Sequence, residues 1–409
     1  MTLEVALPRE KVNKGFWTAT FLISGTCIGG GMLAMPVQTA ESGFTVTAFV
    51  LILGWMLMTY TGLCLVEATL WFKKNKHFPS MSENLLGLPG RIIASIVYLM
   101  MNYLSLIAYT SGGAKLLDAW LSRYLGISLG YELSCIPYII LFGVVVASGS
   151  ILVGRINSML MVAMIATYFI LVFFGLPLIQ SKFIFSPSSW VQGWGILSMI
   201  LATYSYQMIV PTICSYLQYD AQQLRKAVIL GTTIPLAVYF TWTMVVHGVV
   251  PLEGEYGLRE AFVEGNSATT PLSYHLQNPI LAGLAEFFAF FAATTSFLGL
   301  SLALFNFLED FFKGFNCTLS KSNIILLTFI PTLILAILFP RALVKFLDLS
   351  GGFGDTILSC TIPIMMVWIG RYYHNLTGEY KVLGGKIGLS LAGVFAAFVF
   401  ILECWKMIS

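Results

Sequence analysis

The sequence predicts an all-α integral membrane protein with eleven transmembrane helices: a five-plus-five inverted repeat with broken helices one and six, plus one C-terminal helix. Three observations predict this fold: the apolar composition, the regular spacing of apolar stretches, and the polar or glycine-rich interruptions in two of them. Of the 409 residues, 57% are hydrophobic and only 10% are charged, whereas soluble domains carry about 25% charged residues. Lipid is therefore the expected solvent for most of the chain.

The apolar stretches are about twenty residues long, which is the length that a helix needs to cross a hydrocarbon core about 30 Å thick. They are continuously apolar, whereas a transmembrane strand would alternate between apolar and polar residues. The predicted spans are residues 16–38, 44–72, 92–121, 133–153, 159–178, 190–216, 227–250, 280–307, 324–339, 355–369 and 387–405.

The same pattern predicts the domain organisation. Residues 1–14 are polar and run directly into a full-length span, so they form a cytoplasmic N-terminal segment and not a cleaved signal peptide. Residues 15–180 form transmembrane repeat one with helices 1–5, residues 190–373 form repeat two with helices 6–10, and residues 387–405 form helix 11.

Basic residues predict the orientation, because Lys and Arg in short loops stay on the cytoplasmic side. With the N-terminus inside, fifteen of the 22 Lys and Arg residues lie in cytoplasmic segments. Four glutamates between residues 253 and 264 then fall in one external loop. We therefore predict a cytoplasmic N-terminus and an external C-terminus.

Several classes of function lack their sequence signals. The seven cysteines are scattered and show no C-x-x-C spacing, and the four histidines share no helical spacing, so we expect neither a metal site nor a cofactor. No phosphate-binding loop is present. The net charge of +3 is explained by the loop bias, so a nucleic acid is not an expected partner.

The first span contains an unusual run of glycines. Gly29, Gly30 and Gly31 are consecutive, and Pro36 follows at the middle of the membrane. Glycine costs about 1 kcal/mol relative to alanine inside a helix, and unwound backbone at this depth is tolerated where it lines a cavity. The alternative is close helix packing through small residues.

The sixth span contains a second interruption, formed by Tyr204, Ser205, Tyr206 and Gln207, about 177 positions beyond the first. Two broken helices at corresponding positions indicate a transporter repeat with its binding site at the bilayer centre. An odd number of spans in each half inverts the second copy. The alternative is a polar cluster that hydrogen-bonds neighbouring helices.

A broken helix exposes N–H groups at one end and carbonyls at the other, which suits a zwitterion. The carboxylate would bind near Gly29, Gly30 and Gly31, and the ammonium would face the carbonyls of Cys27 and Tyr204 or Ser205. Tyrosines would pack against the substrate ring, although each could instead be an ordinary membrane aromatic. The predicted substrate-binding residues are Thr26, Cys27, Gly29, Gly30, Gly31, Tyr103, Tyr109, Tyr204, Ser205, Tyr206 and Gln207.

Two further groups of residues could bind a coupling ion. Thr295 and Ser296 could add oxygen ligands to first-span carbonyls such as that of Gly25, although helical hydroxyls often bond to carbonyls of their own helix. We place two acidic residues, Glu67 and Glu286, inside the predicted spans. A carboxylate inside the membrane usually has a function, so both are candidates for binding the coupling ion.

Four segments resemble signatures of one family, the hydroxy and aromatic amino acid permeases, in its tyrosine- and tryptophan-specific branch. They are residues 25–36 (GTCIGGGMLAMP), 65–68 (LVEA), 291–305 (FAATTSFLGLSLALF) and 350–354 (SGGFG). The resemblance implies eleven helices, the inverted repeat of the amino acid-polyamine-organocation superfamily, residence in a bacterial inner membrane, and uptake that is usually driven by protons.

One position departs from the family pattern. The family commonly has Phe-Gly-Phe/Tyr-His in span six, where this chain ends the tetrad with Gln207. Glutamine does not titrate near neutral pH, so the family's histidine cannot mediate proton coupling here.

The predicted function is import of an aromatic amino acid by alternating access, with tyrosine favoured over tryptophan and phenylalanine. The coupling ion is a proton or sodium, and the bilayer is the other partner. Alternatives are a sodium-coupled carrier, a carrier of small hydroxylated amino acids and, outside transport by carriers, a membrane channel. A channel would need a pore-lining polar stripe or filter loop, and the sequence shows neither.

Overall fold

The computed structural model describes residues 9–72, 78–185, 188–314 and 319–408, and this part of the chain is helical and contains no strand. Residues 1–8 of the predicted N-terminal segment lie outside it. The helices are α1 (Arg9–Cys27), α2 (Gly31–Gln38), α3 (Phe44–Phe72), α4 (Phe78–Leu125), α5 (Tyr131–Ala147), α6 (Ser150–Gly175), α7 (Ser181–Ile184), α8 (Trp190–Gly195), α9 (Leu197–Thr203), α10 (Val210–Tyr216), α11 (Ala221–Val249), α12 (Leu258–Glu264), α13 (Thr269–His275), α14 (Pro279–Gly314), α15 (Lys321–Leu338), α16 (Ala342–Leu349), α17 (Ile362–Tyr372) and α18 (Gly385–Ile408).

Nine helical segments of the described ranges are long and apolar enough to cross a membrane, and the bent pair α1 and α2 makes ten. The predicted fourth span corresponds to α5, an apolar helix of only 17 residues. The all-helical, multi-pass character is therefore established, and the count of eleven spans stays a prediction. Spans keep their predicted numbers below.

The largest differences between the predicted and the observed boundaries are at the starts of spans 3, 5 and 10. Span 3 begins at Phe78, fourteen residues before the predicted start at 92, and is kinked at Gly87. Spans 4 and 5 are divided at Gly149, whose φ of 103° suits glycine, and not between residues 153 and 159. Span 10 runs from Ala342 to Tyr372 and includes a π-helical segment, Ser350–Thr361. The glycines of this segment suggested a loop, but they are buried against neighbouring helices.

Helix contacts occur in corresponding pairs. Span 1 packs against span 7, and span 6 packs against span 2. Span 3 packs against span 10, and span 8 packs against span 5. Spans 2 and 7, 3 and 8, and 4 and 9 also contact each other. Adding or subtracting five converts the contact of spans 1 and 7 into that of spans 6 and 2, and the contact of spans 3 and 10 into that of spans 8 and 5. The other three contacts are converted into themselves.

Prolines inside the spans create acceptors for contacts between helices. Pro36, Pro235 and Pro331 have no N–H, so each leaves the carbonyl four residues earlier without its helical donor. A side chain from another span donates to each of these carbonyls: Trp242 Nε1 to Met32 O at 3.0 Å, Ser24 Oγ to Gly231 O at 2.8 Å, and Tyr103 Oη to Leu327 O at 2.8 Å.

Candidate functional site

The predicted break in the first span is present. Helix α1 ends at Cys27, α2 begins at Gly31, and the two axes are bent by 50°. Gly29 and Gly30 between them are buried. Thr26 is not part of this region, because its side chain is exposed and its hydroxyl donates to Leu22 O at 2.7 Å in its own helix.

Hydroxyl groups from spans 3 and 8 occupy the free amides of this break. The N–H of Gly30 donates to Ser296 Oγ at 2.8 Å. The Tyr109 hydroxyl interacts with both Ser296 and the backbone of Gly31. Two of the three amides that were predicted to bind a carboxylate, those of Gly30 and Gly31, therefore already have oxygen partners at the break.

The glycines allow these side chains to approach the backbone. A Cβ atom on Gly30 would overlap the ring of Tyr109, and one on Gly29 would overlap the hydroxyl of Ser296. The backbone turn alone does not explain this run of small residues. The glycine run therefore serves the close packing of an aromatic ring and a hydroxyl on the broken helix.

The sixth span is also interrupted near its middle. Helix α9 ends at Thr203 and α10 begins at Val210, with a single 3₁₀ turn from Gln207 to Ile209 between them. Tyr204 and Tyr206 are almost fully buried. Non-helical backbone thus lies inside the protein and not against lipid, as the predicted site requires.

Tyr239 of span 7 joins the two breaks. Its hydroxyl lies 2.6 Å from Cys27 O and 2.8 Å from Thr203 O, the carbonyls at the ends of α1 and α9. A phenol has one proton, so it donates to both carbonyls in a shared hydrogen bond. No local sequence pattern marks this residue, because its partners lie 212 and 36 positions away.

Tyr204 presents an unpaired polar group at the same place. Its hydroxyl is buried and has no hydrogen-bond partner among the described residues. Its ring packs edge-on against Tyr239, with the centroids 5.3 Å apart. An unmade buried hydrogen bond costs about 1–3 kcal/mol, so this hydroxyl is available to a ligand.

Tyr206 and Gln207 are instead bound to span 2. The Tyr206 hydroxyl donates to Met58 O at 3.1 Å. The Gln207 amide donates to Met58 O at 3.2 Å and to Thr61 Oγ1 at 3.3 Å, and its oxygen accepts the N–H of Tyr206 at 3.0 Å. In this conformation both side chains anchor the broken helix, which corresponds to the predicted alternative of a polar cluster between helices.

A buried acid that the sequence analysis did not count lies beside the second break. Asp355 is 1% exposed, accepts a hydrogen bond from Ser359 Oγ at 2.8 Å, and interacts with the side chain of Ser205. The prediction placed Asp355 at the start of span 10 and counted Glu67 and Glu286 as the acids within spans. That count was wrong, because span 10 starts at Ala342 and Asp355 lies well inside it.

The hydroxyls predicted to bind a cation do not converge. Thr295 Oγ1 donates to Ala292 O at 3.1 Å in its own helix, and Ser296 accepts the Gly30 N–H. Gly25 packs against Met161 of span 5, to which a Cβ atom would approach within 3.0 Å.

The other predicted coupling residues and Tyr103 lie away from the breaks. Glu67 is paired with Arg371 and accepts the Val382 N–H at 2.7 Å. Glu286 is paired with Arg123 at 2.5 Å. Tyr103 is half-buried and bonded to span 9.

The described residues define a multi-pass membrane protein in which two interrupted helices meet around buried tyrosines and one buried acid. The model of the tryptophan/tyrosine permease family matches residues 12–403, and the chain belongs to that family. The predicted resemblance is therefore confirmed. The family is one of transport proteins, not of enzymes.

Individual relatives match over almost their full length. The tyrosine-specific transport system 1 of Haemophilus influenzae is 29% identical over 384 residues, which cover 93% of this chain and 94% of the relative. The tryptophan-specific transport protein of the same organism is 26% identical over 385 residues, or 91% and 92%. The low affinity tryptophan permease of Escherichia coli is 26% identical over 404 residues, or 97% and 96%.

Proposed function

We propose that this protein imports an aromatic amino acid, with tyrosine favoured, by proton-coupled symport through alternating access. The observation that carries the proposal is the meeting of two unwound helices at one tyrosine hydroxyl, that of Tyr239. The names of the relatives, which are specific for tyrosine or tryptophan, support the aromatic substrate.

The substrate would bind between the two breaks. Its carboxylate would replace the hydroxyl oxygens of Ser296 and Tyr109 at the amides of Gly29, Gly30 and Gly31, since these amides form the positive end of α2. Its ammonium group would face the carbonyls near Cys27 and Ser205. The ring would lie against Tyr109 and Tyr204, whose free hydroxyl could bond a phenol or an indole N–H.

Paired helix contacts support the proposed repeat of residues 15–180 and 190–373, followed by helix 11 at 387–405. The contact of span 1 with span 7 corresponds to that of span 6 with span 2, and the contact of span 3 with span 10 to that of span 8 with span 5. Two halves with equivalent contacts can exchange conformations, which is the basis of alternating access.

The arrangement of hydroxyls favours a proton over sodium. Sodium needs several oxygen lone pairs directed at one point, but Ser296 Oγ receives an N–H and Thr295 bonds within its own helix.

We place the protein in a bacterial inner membrane with its N-terminus in the cytoplasm and its C-terminus outside. Ion pairs and hydrogen bonds join residues that this orientation puts on the external side. They are Lys115 to the Glu264 carbonyl, Arg123 to Glu286, and Arg259 to Glu41. A cleft of about 180 Å³ beside Leu33 and Lys115 opens on the same side and would lead towards the first break.

The test is uptake of radiolabelled tyrosine into proteoliposomes with proton and sodium gradients imposed separately. We expect accumulation with the proton gradient alone, inhibited by excess tryptophan or phenylalanine and unaffected by serine. Accumulation that requires sodium would overturn the coupling. Inhibition by serine with no effect of aromatic amino acids would favour a carrier of small hydroxylated amino acids. Non-saturable flux would indicate a channel.

A further inference from the structure

The π-helical segment of span 10 places the buried carboxyl group of Asp355 beside the broken sixth span. Asp355 is 1% exposed and lies among elements from spans 2, 3, 6 and 11 that pack against this segment. Its described contacts are hydroxyls: Ser359 Oγ donates at 2.8 Å, and the Ser205 side chain interacts with it from the unwound stretch.

None of the described basic residues forms an ion pair with Asp355. Two cations of the neighbouring helical segments have other partners: Arg371 of span 10 pairs with Glu67, and Lys406 of span 11 pairs with Asp348 and Glu403. Asp355 therefore differs from the buried acids Glu67 and Glu403, each of which pairs with a cation.

The groups that interact with Asp355 carry no positive charge. The titratable groups that interact with it are the Cys27 thiol of span 1, the Tyr109 hydroxyl of span 3 and the Cys360 thiol of its own helix. Span 6 contributes Ser205. Two further elements hold their groups in other contacts: the Glu403 carboxylate of span 11 packs on Gly352 and accepts from Ser198, and the Cys64 thiol of span 2 faces Glu67 and Cys360.

An ionised carboxylate at this buried position is energetically unfavourable. Removing it from water costs several kcal/mol unless a cation or a proton neutralises it. A zwitterionic substrate carries no net charge, so its binding beside Asp355 would not remove the negative charge. A proton on Asp355 would leave the loaded, closed site neutral.

We propose that Asp355 is the group that binds the coupled proton. This inference rests on the proposed function and deepens it. In the outward-open state one carboxylate oxygen would take a proton from external water and form an O–H bond. In the inward-open state that bond would break, and the proton would pass to cytoplasmic water. Span 6 packs against the π-helical segment that carries Asp355, so protonation of Asp355 would act on the neighbouring unwound segment that is proposed to bind the substrate.

The experiment compares two transport modes in proteoliposomes, using radiolabelled tyrosine. Accumulation is measured with an inward proton gradient of one pH unit, which can drive about tenfold concentration if one proton accompanies each substrate. Exchange is measured at equal pH with unlabelled tyrosine inside, and it needs no net proton movement. Asp355→Asn keeps the shape of the side chain but cannot release a proton, and Asp355→Glu restores a carboxyl group. Asp348→Asn is the matched control, because it makes the same change on the same span at an acid that is paired with Lys406.

We expect Asp355→Asn to lose accumulation above equilibrium while it retains exchange, Asp355→Glu to recover part of the accumulation, and Asp348→Asn to keep its dependence on the gradient. Normal accumulation by Asp355→Asn would overturn the inference. If both Asp355 variants lost exchange and also lost tyrosine binding, the inference would be overturned too. The carboxylate would then bind the substrate ammonium group. Absence of tyrosine exchange in the unmodified protein would instead overturn the proposed function.

Discussion

At the scale of single residues, the first break depends on how closely Tyr109 approaches the backbone. The ring lies where a Cβ atom of Gly30 would be, and the Gly30 N–H is bonded to Ser296. A methyl group at this position must displace the ring or the helix. The same backbone amides would hold the substrate carboxylate, so a small change here should alter transport more than it alters folding.

We therefore expect Gly30→Ala to lower tyrosine uptake by about tenfold or more, because displacements near 1 Å can cost that much in a preorganised site. Gly30→Leu should abolish uptake while the protein still inserts into the membrane. Initial uptake rates, normalised to protein in the membrane, measure the effect. Gly299→Ala is the control, since open space surrounds that glycine in span 8. Unchanged uptake in Gly30→Ala would argue against a carboxylate site at Gly30.

Local sequence predicted only part of this site. The three glycines and the tetrad ending at Gln207 marked both breaks, because backbone propensity is a local property. Tyr239 and Asp355 were missed, since their importance comes from partners that are distant in sequence. Gln207 was assigned to substrate, but its amide is bonded to span 2, and no local pattern distinguishes these two uses.

At the scale of elements, one hydroxyl holds the two unwound segments together. Tyr239 bonds the carbonyls at the ends of α1 and α9. Both carbonyls are unsatisfied by their own helices because the helices stop there. The hydrogen bond thus couples the positions of spans 1, 6 and 7.

Tyr239→Phe removes this shared hydrogen bond without changing the ring. We expect the free energy of unfolding to fall by about 1 kcal/mol and tyrosine uptake to fall with it, because the two halves of the site lose their link. Thermal melting in detergent and uptake rates measure the two effects. Tyr168→Phe is the control: its hydroxyl donates to Val238 O at 3.3 Å, away from the breaks. Equal effects of both substitutions on uptake would contradict the linking role.

A buried ion pair fixes the end of span 2 to the end of span 10. Glu67 and Arg371 are 2% and 8% exposed, and both also bond the backbone of Val382. Such pairs are costly to break from one side, because the remaining charge stays buried. The arrangement indicates a structural clamp on the face that we assign to the cytoplasm.

Removing the Glu67 carboxylate alone should therefore strongly lower the stability of the protein. We expect Glu67→Gln to lower the free energy of unfolding by about 3–5 kcal/mol, and Glu67→Gln with Arg371→Met to recover much of that loss. Chemical or thermal unfolding in detergent measures both. The comparison variant is Glu83→Gln, whose pair with Arg91 is exposed and should contribute less than about 1 kcal/mol. A small effect of Glu67→Gln alone would show that Arg371 is not confined by this pair.

The positions of most spans followed from hydropathy, since lipid imposes the same length on each helix. The start of span 10 did not follow in this way. Its glycines at 351, 352 and 354 resemble a loop, yet Gly351 lies against the backbone of Ser198 and Gly352 against Glu403. Tertiary packing overrode a local preference for a turn, and Asp355 was misplaced for the same reason.

At the scale of the whole molecule, equivalent contacts relate the two sets of five spans, and each set begins with an interrupted helix. In the proposed mechanism, a single site between the two halves would be reached from either side when one half moves relative to the other. Tyr109 and Tyr204 are buried, so in the proposed mechanism the substrate would displace contacts at the first break when it binds.

An experimental structure of the protein with bound tyrosine tests this account most directly. We expect the ligand between the two breaks, with its carboxylate on the amides of Gly29, Gly30 and Gly31 in place of the Ser296 or Tyr109 hydroxyl, and its ring beside Tyr204. Tyrosine bound only in the external cleft near Lys115, with the Gly30 to Ser296 hydrogen bond intact, would contradict it.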